Sequence, residues 1–430
     1  MSRAPEIRGW CPGARRPMPS GDGLLIRAKC IGSRLTGQQL AAIAETAAAC
    51  GNGLIDLSQR AQLQIRGVRE ATYEDALRRL DQHGFLAPDA DAERVTNVIA
   101  APLTGLDSSA RFDANALARD LADSLPGEAE LRTLPAKFLF AIDDGGALSL
   151  ADVAADIRLE ASGERIALRV AGAPDQAVIV AIEDATRETV KLARAFLSLR
   201  AHQPFELRRM RNLVAAIGLD RVLREAEMSS ATEPRKAPIS LRNVLGAQQA
   251  GPLHFAGVGI PSGRIDAVTL SALASLSERI GLNEARLTPW RALLFPTLSP
   301  VAAQEFCMAA QARDLIVAVD DPRLAVVACP GAPECPQALG ETRTYISRLA
   351  PLAQKLVADN GVALHISGCA KGCAHPQSAR ATLVAEGDGL FALINDGAAS
   401  ATTRFHALTI DDVERALTMR AEGNSACPTT

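Results

Sequence analysis

One segment of this 430-residue chain occurs twice. Residues 21–86 align with residues 251–316 without a gap, at the shift that carries Arg34 to Arg264 (264 − 34 = 230). The same shift carries Leu40 to Leu270, Ala44 to Ala274, Gly51 to Gly281, Leu57 to Leu287 and Leu63 to Leu293. A duplication restricts the fold strongly, because both copies must form one kind of unit and each must bury its apolar face.

Both copies open on a strand-like stretch, Gly23-Leu-Leu-Ile-Arg-Ala and His254-Phe-Ala-Gly-Val-Gly, and then turn at Gly and Ser. Apolar residues follow at helical spacing: Leu40, Ile43, Ala44 and Ala47, then Leu270, Leu273 and Ala274. A glycine ends each helix, at Gly51 and Gly281. Alternation in Leu57-Ser-Gln-Arg-Ala-Gln-Leu-Gln-Ile65 predicts one strand, and a second helix closes the unit.

This order predicts ferredoxin-like half-domains over 18–87 and 250–317, each followed by an α/β domain, over 88–235 and 318–425. The first α/β domain is expected to hold a strand at 136–142, a hairpin-like turn at Asp143-Asp-Gly-Gly146 and a long helix at 182–199. The stretch Ala231-Thr-Glu-Pro-Arg-Lys-Ala-Pro238 reads as a linker. The fold class is α+β. The two half-domains should pack as a pseudo-twofold pair, with matched binding residues in both copies.

Cys329-Pro-Gly-Ala-Pro-Glu-Cys335 and Cys369-Ala-Lys-Gly-Cys373 form a C-x5-C and C-x3-C pair. Four thiolates suit a 4Fe-4S cluster, with one for each iron. Structural zinc favours tighter knuckles. Cys30, Cys50, Cys307 and Cys427 carry no such pattern and read as core or surface thiols. Cys11, in Gly9-Trp-Cys-Pro-Gly13, reads as part of a turn.

A formal charge of −3 argues against a nucleic-acid binder. No apolar run approaches the roughly 20 residues of a membrane span. The polar start, Met-Ser-Arg-Ala-Pro-Glu, lacks a signal-peptide core, so a cytoplasmic chain is expected. No Gly-x-Gly-x-x-Gly follows a strand, so reducing equivalents should arrive through a partner protein. The Arg208-Arg-Met-Arg211 run reads as a solvated helix face.

A duplicated ferredoxin-like half-domain followed by these cysteine pairs resembles the siroheme-dependent nitrite and sulfite reductase family over nearly the whole chain. In that family an iron–sulfur cube lies against a siroheme held between the repeats. The stretch from Leu57 to Gly67 resembles the family's Arg/Gln strand, which faces the tetrapyrrole, and Leu287-Thr-Pro-Trp-Arg291 is its counterpart.

Further likeness lies in Arg8-Gly-Trp-Cys-Pro-Gly13, Pro17-Met18, Ser20-Gly-Asp-Gly-Leu-Leu-Ile-Arg27 and His365-Ile-Ser-Gly-Cys-Ala-Lys-Gly-Cys-Ala-His-Pro376. These point to the branch of the family that works in aerobic cobalamin synthesis. Two departures agree: Leu139 and Thr96 stand where the reductases carry cations that help to bind sulfite or nitrite.

The resemblance implies an O2-dependent monooxygenase that hydroxylates the tetrapyrrole precorrin-3A at C20 and closes a γ-lactone. It also implies an external electron donor drawing ultimately on NAD(P)H. A mononuclear non-haem iron would be a second cofactor; His365 and His375 would be its ligands or would hydrogen-bond beside the cluster.

The expected substrate-binding residues are Arg27, Arg34, Arg60, Gln62, Gln64, Arg66, Arg264 and Arg291, because guanidinium groups pair strongly with carboxylates. Lys137 and Lys371 are the catalytic candidates. Lys137 is expected inside an apolar strand, where an ammonium is costly unless it faces a site. The rival functions are a siroheme nitrite or sulfite reductase and a non-catalytic iron–sulfur electron carrier.

Overall fold

The computed structural model describes residues 10–203, 206–235, 237, 239, 243–357, 362–402 and 404–422. Arg8 and Gly9 of the opening motif, Lys236 and Pro238 of the linker, and Cys427 lie outside the described residues. The chain divides into two compact units. One comprises Trp10–Met18 and Leu25–Val317; the other comprises Pro19–Leu24 and the described residues from Ala318 onward.

The first unit contains both repeats, and its central feature is a reciprocal exchange of strands. In one sheet the order is Gly23–Ala28, Leu63–Val68, Leu54–Leu57 and then Arg264–Asp266 from the other copy. In the second sheet it is Gly246–Ala250, Leu253–Gly259, Ala292–Thr297, Glu284–Leu287 and then Arg34–Thr36. Each copy therefore closes its partner's sheet edge, which removes two edges that would otherwise expose unpaired backbone groups.

The exchanged strand feeds straight into a helix in both copies, Gly37–Cys50 and Ala267–Ile280. Thr36 caps the first by accepting from the Gln39 N–H, and Asp266 caps the second by accepting from the Thr269 N–H. These helices bury Leu40, Ile43, Ala44 and Ala47, and Leu270, Leu273 and Ala274, as the spacing predicts.

The helix-ending glycines serve another purpose than a left-handed cap, since Gly51 and Gly281 have φ of −109° and −111°. A Cβ on Gly51 would lie 2.3 Å from the Arg66 carbonyl oxygen, and one on Gly281 would lie 2.9 Å from that of Pro296. The returning strand comes too close for a side chain.

The single strand expected from Leu57 to Ile65 is instead two, Leu54–Leu57 and Leu63–Val68, joined by a tight turn. Ser58 N–H donates to the Gln62 carbonyl, and Ala61 takes φ of 51°. Polar alternation concealed this turn, because Ser58, Gln59 and Arg60 satisfy turn and strand patterns alike. The second copy repeats it at Thr288–Ala292, with Arg291 at φ of 56° in the place of Ala61.

The following α/β region has a six-stranded sheet in the order Ala231–Thr232, Gln176–Val180, Arg165–Val170, Ile157–Ser162, Phe140–Asp143, Val98–Ala100. Phe140–Asp143 pairs in parallel with Ile157–Ser162, so Asp143-Asp-Gly-Gly146 begins a crossover and is no hairpin. The strand expected at 136–142 starts only at Phe140, which leaves Lys137 exposed on a turn. The predicted linker begins as an edge strand, with Thr232 opposite Gln176. The long helix runs over Ala185–Ala201, behind a short 3-10 turn at Ile182–Asp184.

The second unit is a five-stranded sheet in which Val326–Ala328, Leu364–Ser367 and Ala379–Gly387 are parallel neighbours. Helices Ile346–Lys355 and Ile410–Ala421 bury Leu349, Ala353, Val413 and Leu417. Among the described residues no helix is long and apolar enough to cross a membrane.

Candidate functional site

Two clusters of reactive side chains stand out, one in each unit. In the second unit the adjacent parallel strands Val326–Ala328 and Leu364–Ser367 end side by side and release the two cysteine loops at the same sheet end. Cys329 N–H donates to the Ile366 carbonyl (3.2 Å), and the Gly368 N–H points at the Cys329 sulfur (3.1 Å). Cys335 N–H donates to Gly331, Thr342 holds the Cys329 carbonyl, and Ser367 holds that of Cys369. The Pro19–Leu24 segment joins this wall, where the Gly21 N–H donates to the Glu334 carbonyl.

Cys329 is buried, Cys335 and Cys369 are half-buried and Cys373 is exposed. Burial raises the Cys329 and Cys373 thiol pKa values, and the other thiols of the set raise them further. The four sulfurs thus share one electrostatic neighbourhood, in which thiolates repel unless a cationic centre lies among them. Lys371, exposed between Cys369 and Cys373, acts in the opposite direction on Cys373. His365 is buried in its strand, and its ring meets that of His375 edge-on at 5.7 Å. Cys30, Cys50 and Cys307 are buried apart from this set; burial pushes Cys30 up to about 12 and Cys307 up to about 11.

In the first unit, Arg27, Lys29 and Arg60 gather with Cys11. Arg27 is buried on Gly23–Ala28, and Gln64 on the neighbouring strand accepts from its guanidinium (2.9 and 3.3 Å) once the amide is oriented to satisfy both groups. Arg60 reaches from the 58–62 turn to the Ala136 carbonyl (3.4 Å), the Lys137 carbonyl (3.3 Å) and the Cys11 sulfur (4.0 Å). Burial lowers both arginine pKa values; Coulombic repulsion from Arg60 lowers that of Arg27 further, and repulsion from Arg209 does the same to Arg60. Because arginine stays charged, these are desolvated cations that gain from an anionic ligand.

Lys29 is the residue that sequence reading missed; it lies just past the end of the Gly23–Ala28 strand that carries Arg27. Its ammonium donates to the Glu93 carbonyl (2.9 Å) and to Asn97 Oδ1 (3.4 Å). The Glu93 carboxylate is turned to the Ala14 and Arg15 N–H groups. Burial, and then Arg27, push Lys29 down to about 7. Lys29 therefore contributes full stability only above the ordinary lysine pKa of ~10.4, and that contribution is lost as pH falls through about 7. Lys29→Met should accordingly raise the melting temperature most at pH 6 and least at pH 10; an equal shift at both pH values would contradict a neutral buried amine.

The other expected substrate residues have partners within the frame. Gln62 exchanges both amide groups with the Cys30 main chain (2.7 and 2.9 Å). Arg66 (3.1 Å) and Arg264 (2.8 Å) share Asp56, while Arg34 (2.5 Å) and Arg286 (2.7 Å) share Glu284. Arg291 is desolvated and feels Asp56. The turn at 58–62 removes Arg60 from the face shared by Gln64 and Arg66. Nor do the copies match at their turns: Arg60 and Ala61 correspond to Trp290 and Arg291, and the Trp290 indole donates to Asp152.

The pattern of the nitrite/sulfite reductase ferredoxin-like half domain matches residues 16–83 and 247–307. A precorrin-3B synthase of Sinorhizobium is 32% identical over 406 residues, covering 91% of this chain and 84% of the relative. The ferredoxin–nitrite reductase of Synechococcus elongatus is 28% identical, covering 85% of this chain and 76% of the relative. The NirA protein of Mycobacterium tuberculosis shares the fold, with a TM-score of 0.72 at 21% identity over 94% of this chain and 82% of that one. With its exchanged repeats and its gathered cysteines, the chain belongs to the oxidoreductase family of precorrin-3B synthase and the ferredoxin nitrite and sulfite reductases.

Proposed function

We propose that the chain hydroxylates precorrin-3A at C20 with O2 and closes a γ-lactone, in aerobic cobalamin synthesis. The observation that carries this reading is the state of the two positions where the reductases bear cations. Leu139 is buried in the core, and the Thr96 hydroxyl is spent on the Ala92 carbonyl. A sulfite or nitrite ion would lack both charges there. The charges on Arg27 and Arg60 suit the carboxylates of a larger anion.

In this reading Arg27 and Arg60 bind substrate carboxylates, with Gln64 orienting Arg27 and the Ala136 and Lys137 carbonyls orienting Arg60. Arg291 is a further desolvated cation for the same ligand. Arg34, Arg66, Arg264 and Gln62 hold the frame. Lys29 lies buried beside Arg27, where a bound carboxylate would favour its charged form. Lys137 is exposed beside the Arg60 anchor and can meet an outer carboxylate.

Cys329, Cys335, Cys369 and Cys373 fit a 4Fe-4S cluster, with one thiolate for each iron and the Gly368 N–H directed at a sulfur. When bound, such a cluster supplies electrons singly from an external donor that draws ultimately on NAD(P)H. Among the described residues no three His, Cys, Asp or Glu side chains group as ligands of a single ion, and His365 and His375 stand as candidates either to ligate a mononuclear iron or to hydrogen-bond beside the cluster.

The test is the visible spectrum of anaerobically purified protein before and after precorrin-3A is added under air. A broad cluster band followed by O2-dependent conversion of the tetrapyrrole is the expected result. A Soret band from bound siroheme would sink the reading in favour of a short reductase. Arg60→Ala should weaken tetrapyrrole binding tenfold or more, or about 1.4 kcal/mol, while the cluster band persists.

A further inference from the structure

A second arginine-rich cavity lies in the first α/β region. It has a volume of about 250 Å³ and is lined by Arg158, Arg169, Arg209, Arg211 and Arg235. Arg158 and Arg169 stand directly opposite each other on antiparallel strands, where like charges destabilise a sheet. Glu160 is their only ion-pair partner among the described residues, at 3.2 Å from Arg158 and 2.8 Å from Arg169. Arg209 pairs with the buried Asp156 (2.9 Å). The solvated helix face expected for this run therefore holds for Arg211 and fails for Arg209.

Other nearby carboxylates are engaged elsewhere. Asp143 accepts from the Ser149 hydroxyl and the Leu150 N–H, Asp152 from the Trp290 indole, and Glu233 from the Ser162 hydroxyl. Five guanidinium groups thus face two paired carboxylates. Each guanidinium carries five donors in a planar fork; main-chain carbonyls of Leu150 and Val153 hold Arg158, those of Pro174, Glu233 and Pro234 hold Arg169, and those of Ala154 and Ala151 hold Arg209 and Arg235, without neutralising their charge. Such a pocket is built for an anion with planar oxygen pairs.

The pocket also adjoins the Arg60 site. Asp156, which holds Arg209, accepts from the Leu139 N–H at the end of the turn whose carbonyls receive Arg60. Arg60 in turn feels both Arg209 and Asp156.

We propose that this pocket is a carboxylate subsite that takes one acidic side arm of the tetrapyrrole bound at Arg27 and Arg60, so that it selects macrocycles bearing more carboxylates. The proposal rests on the tetrapyrrole reading of that site. A cavity of this size fits one short carboxyalkyl arm and is too small for a whole macrocycle.

The test uses the full chain, with uroporphyrin (eight carboxylates) and coproporphyrin (four) as fluorescent probes and citrate as a free anion. Wild type should prefer uroporphyrin by tenfold or more, and citrate should erode that preference. The double variant Arg211→Ala/Arg235→Ala should bring the ratio close to one while coproporphyrin affinity and melting temperature stay unchanged; Arg211→Glu should do the same if Arg235→Ala disturbs folding. An unchanged ratio in a folded variant overturns the subsite. Citrate binding that depends on Arg211 but leaves porphyrin binding untouched assigns the pocket to a free anion and overturns the side arm. Failure of both porphyrins to bind wild type would instead retire the Arg27 and Arg60 reading itself.

Discussion

Cys369→Ser is expected to leave the purified protein without the broad visible absorption of an iron–sulfur cluster, and with iron content far below about four atoms per chain. Cys369 lies on the second loop, and its carbonyl is held by the Ser367 hydroxyl, so the substitution removes a ligand without freeing the loop. An alkoxide is a harder ligand and a serine hydroxyl a much weaker acid than a thiol, so three thiolates would remain for four irons. Cys307→Ser is the matched control, because its thiol on Pro300–Gln311 is buried in the core of the other unit. Visible spectra and iron assays on both variants decide the matter. Equal iron in the two would show that the gathered cysteines do not hold a cluster. Because metal binding and folding are linked, the second unit of Cys369→Ser should also unfold at lower temperature.

The largest effect on stability is expected from Asp56→Ala. Asp56 lies on Leu54–Leu57 and accepts from Arg66 of its own copy and from Arg264 on the exchanged strand of the other. The Arg66 side chain is 3% exposed and that of Arg264 14%, so removing the carboxylate takes a shared ion-pair partner from two desolvated cations at the seam between the repeats. Breaking a buried pair in this way costs about 3–5 kcal/mol. The urea transition of the repeats should move to markedly lower concentration, while Asp56→Asn, which keeps an acceptor, should lose less. A double-mutant cycle with Arg264→Met separates the cross-copy contact from the local one. A coupling near zero would mean that the exchanged strand is held by its backbone ladder alone.

Much of this protein can be read from its residues. The constant shift between the copies, the apolar spacing of the two helices and the four cysteines all lie in local periodicity or in composition that few chemistries can use. The helices occur where Leu40, Ile43, Leu270 and Leu273 place them, and the cysteine loops meet because their parent strands are neighbours. The family likeness drawn from these motifs agrees with the relatives that the chain matches.

Other features had no local signature. That each copy lends its edge strand to the other depends on pairing residues far apart in sequence, 208 positions in the case of Arg264 and Asp56. No window of sequence contains that choice. It also decides which arginines are spent: Arg34 and Arg264 look alike in sequence to Arg27 and Arg60, but a carboxylate of the other copy reaches each of them, while Arg66 pairs with Asp56 on the neighbouring strand of its own copy. The turn at 58–62 was masked because its polar residues satisfy an alternating pattern as well.

By itself, then, the sequence determined the duplicated α+β architecture, the helix positions and the identity of the thiol set, since these follow from nearest-neighbour periodicity and from the chemistry of single residue types. Only the tertiary structure decided which arginines pair with carboxylates of the other copy, that Lys29 is buried beside Arg27, and that Arg158 and Arg169 face each other. Charge compensation and desolvation depend on which distant groups the fold brings within a few ångströms.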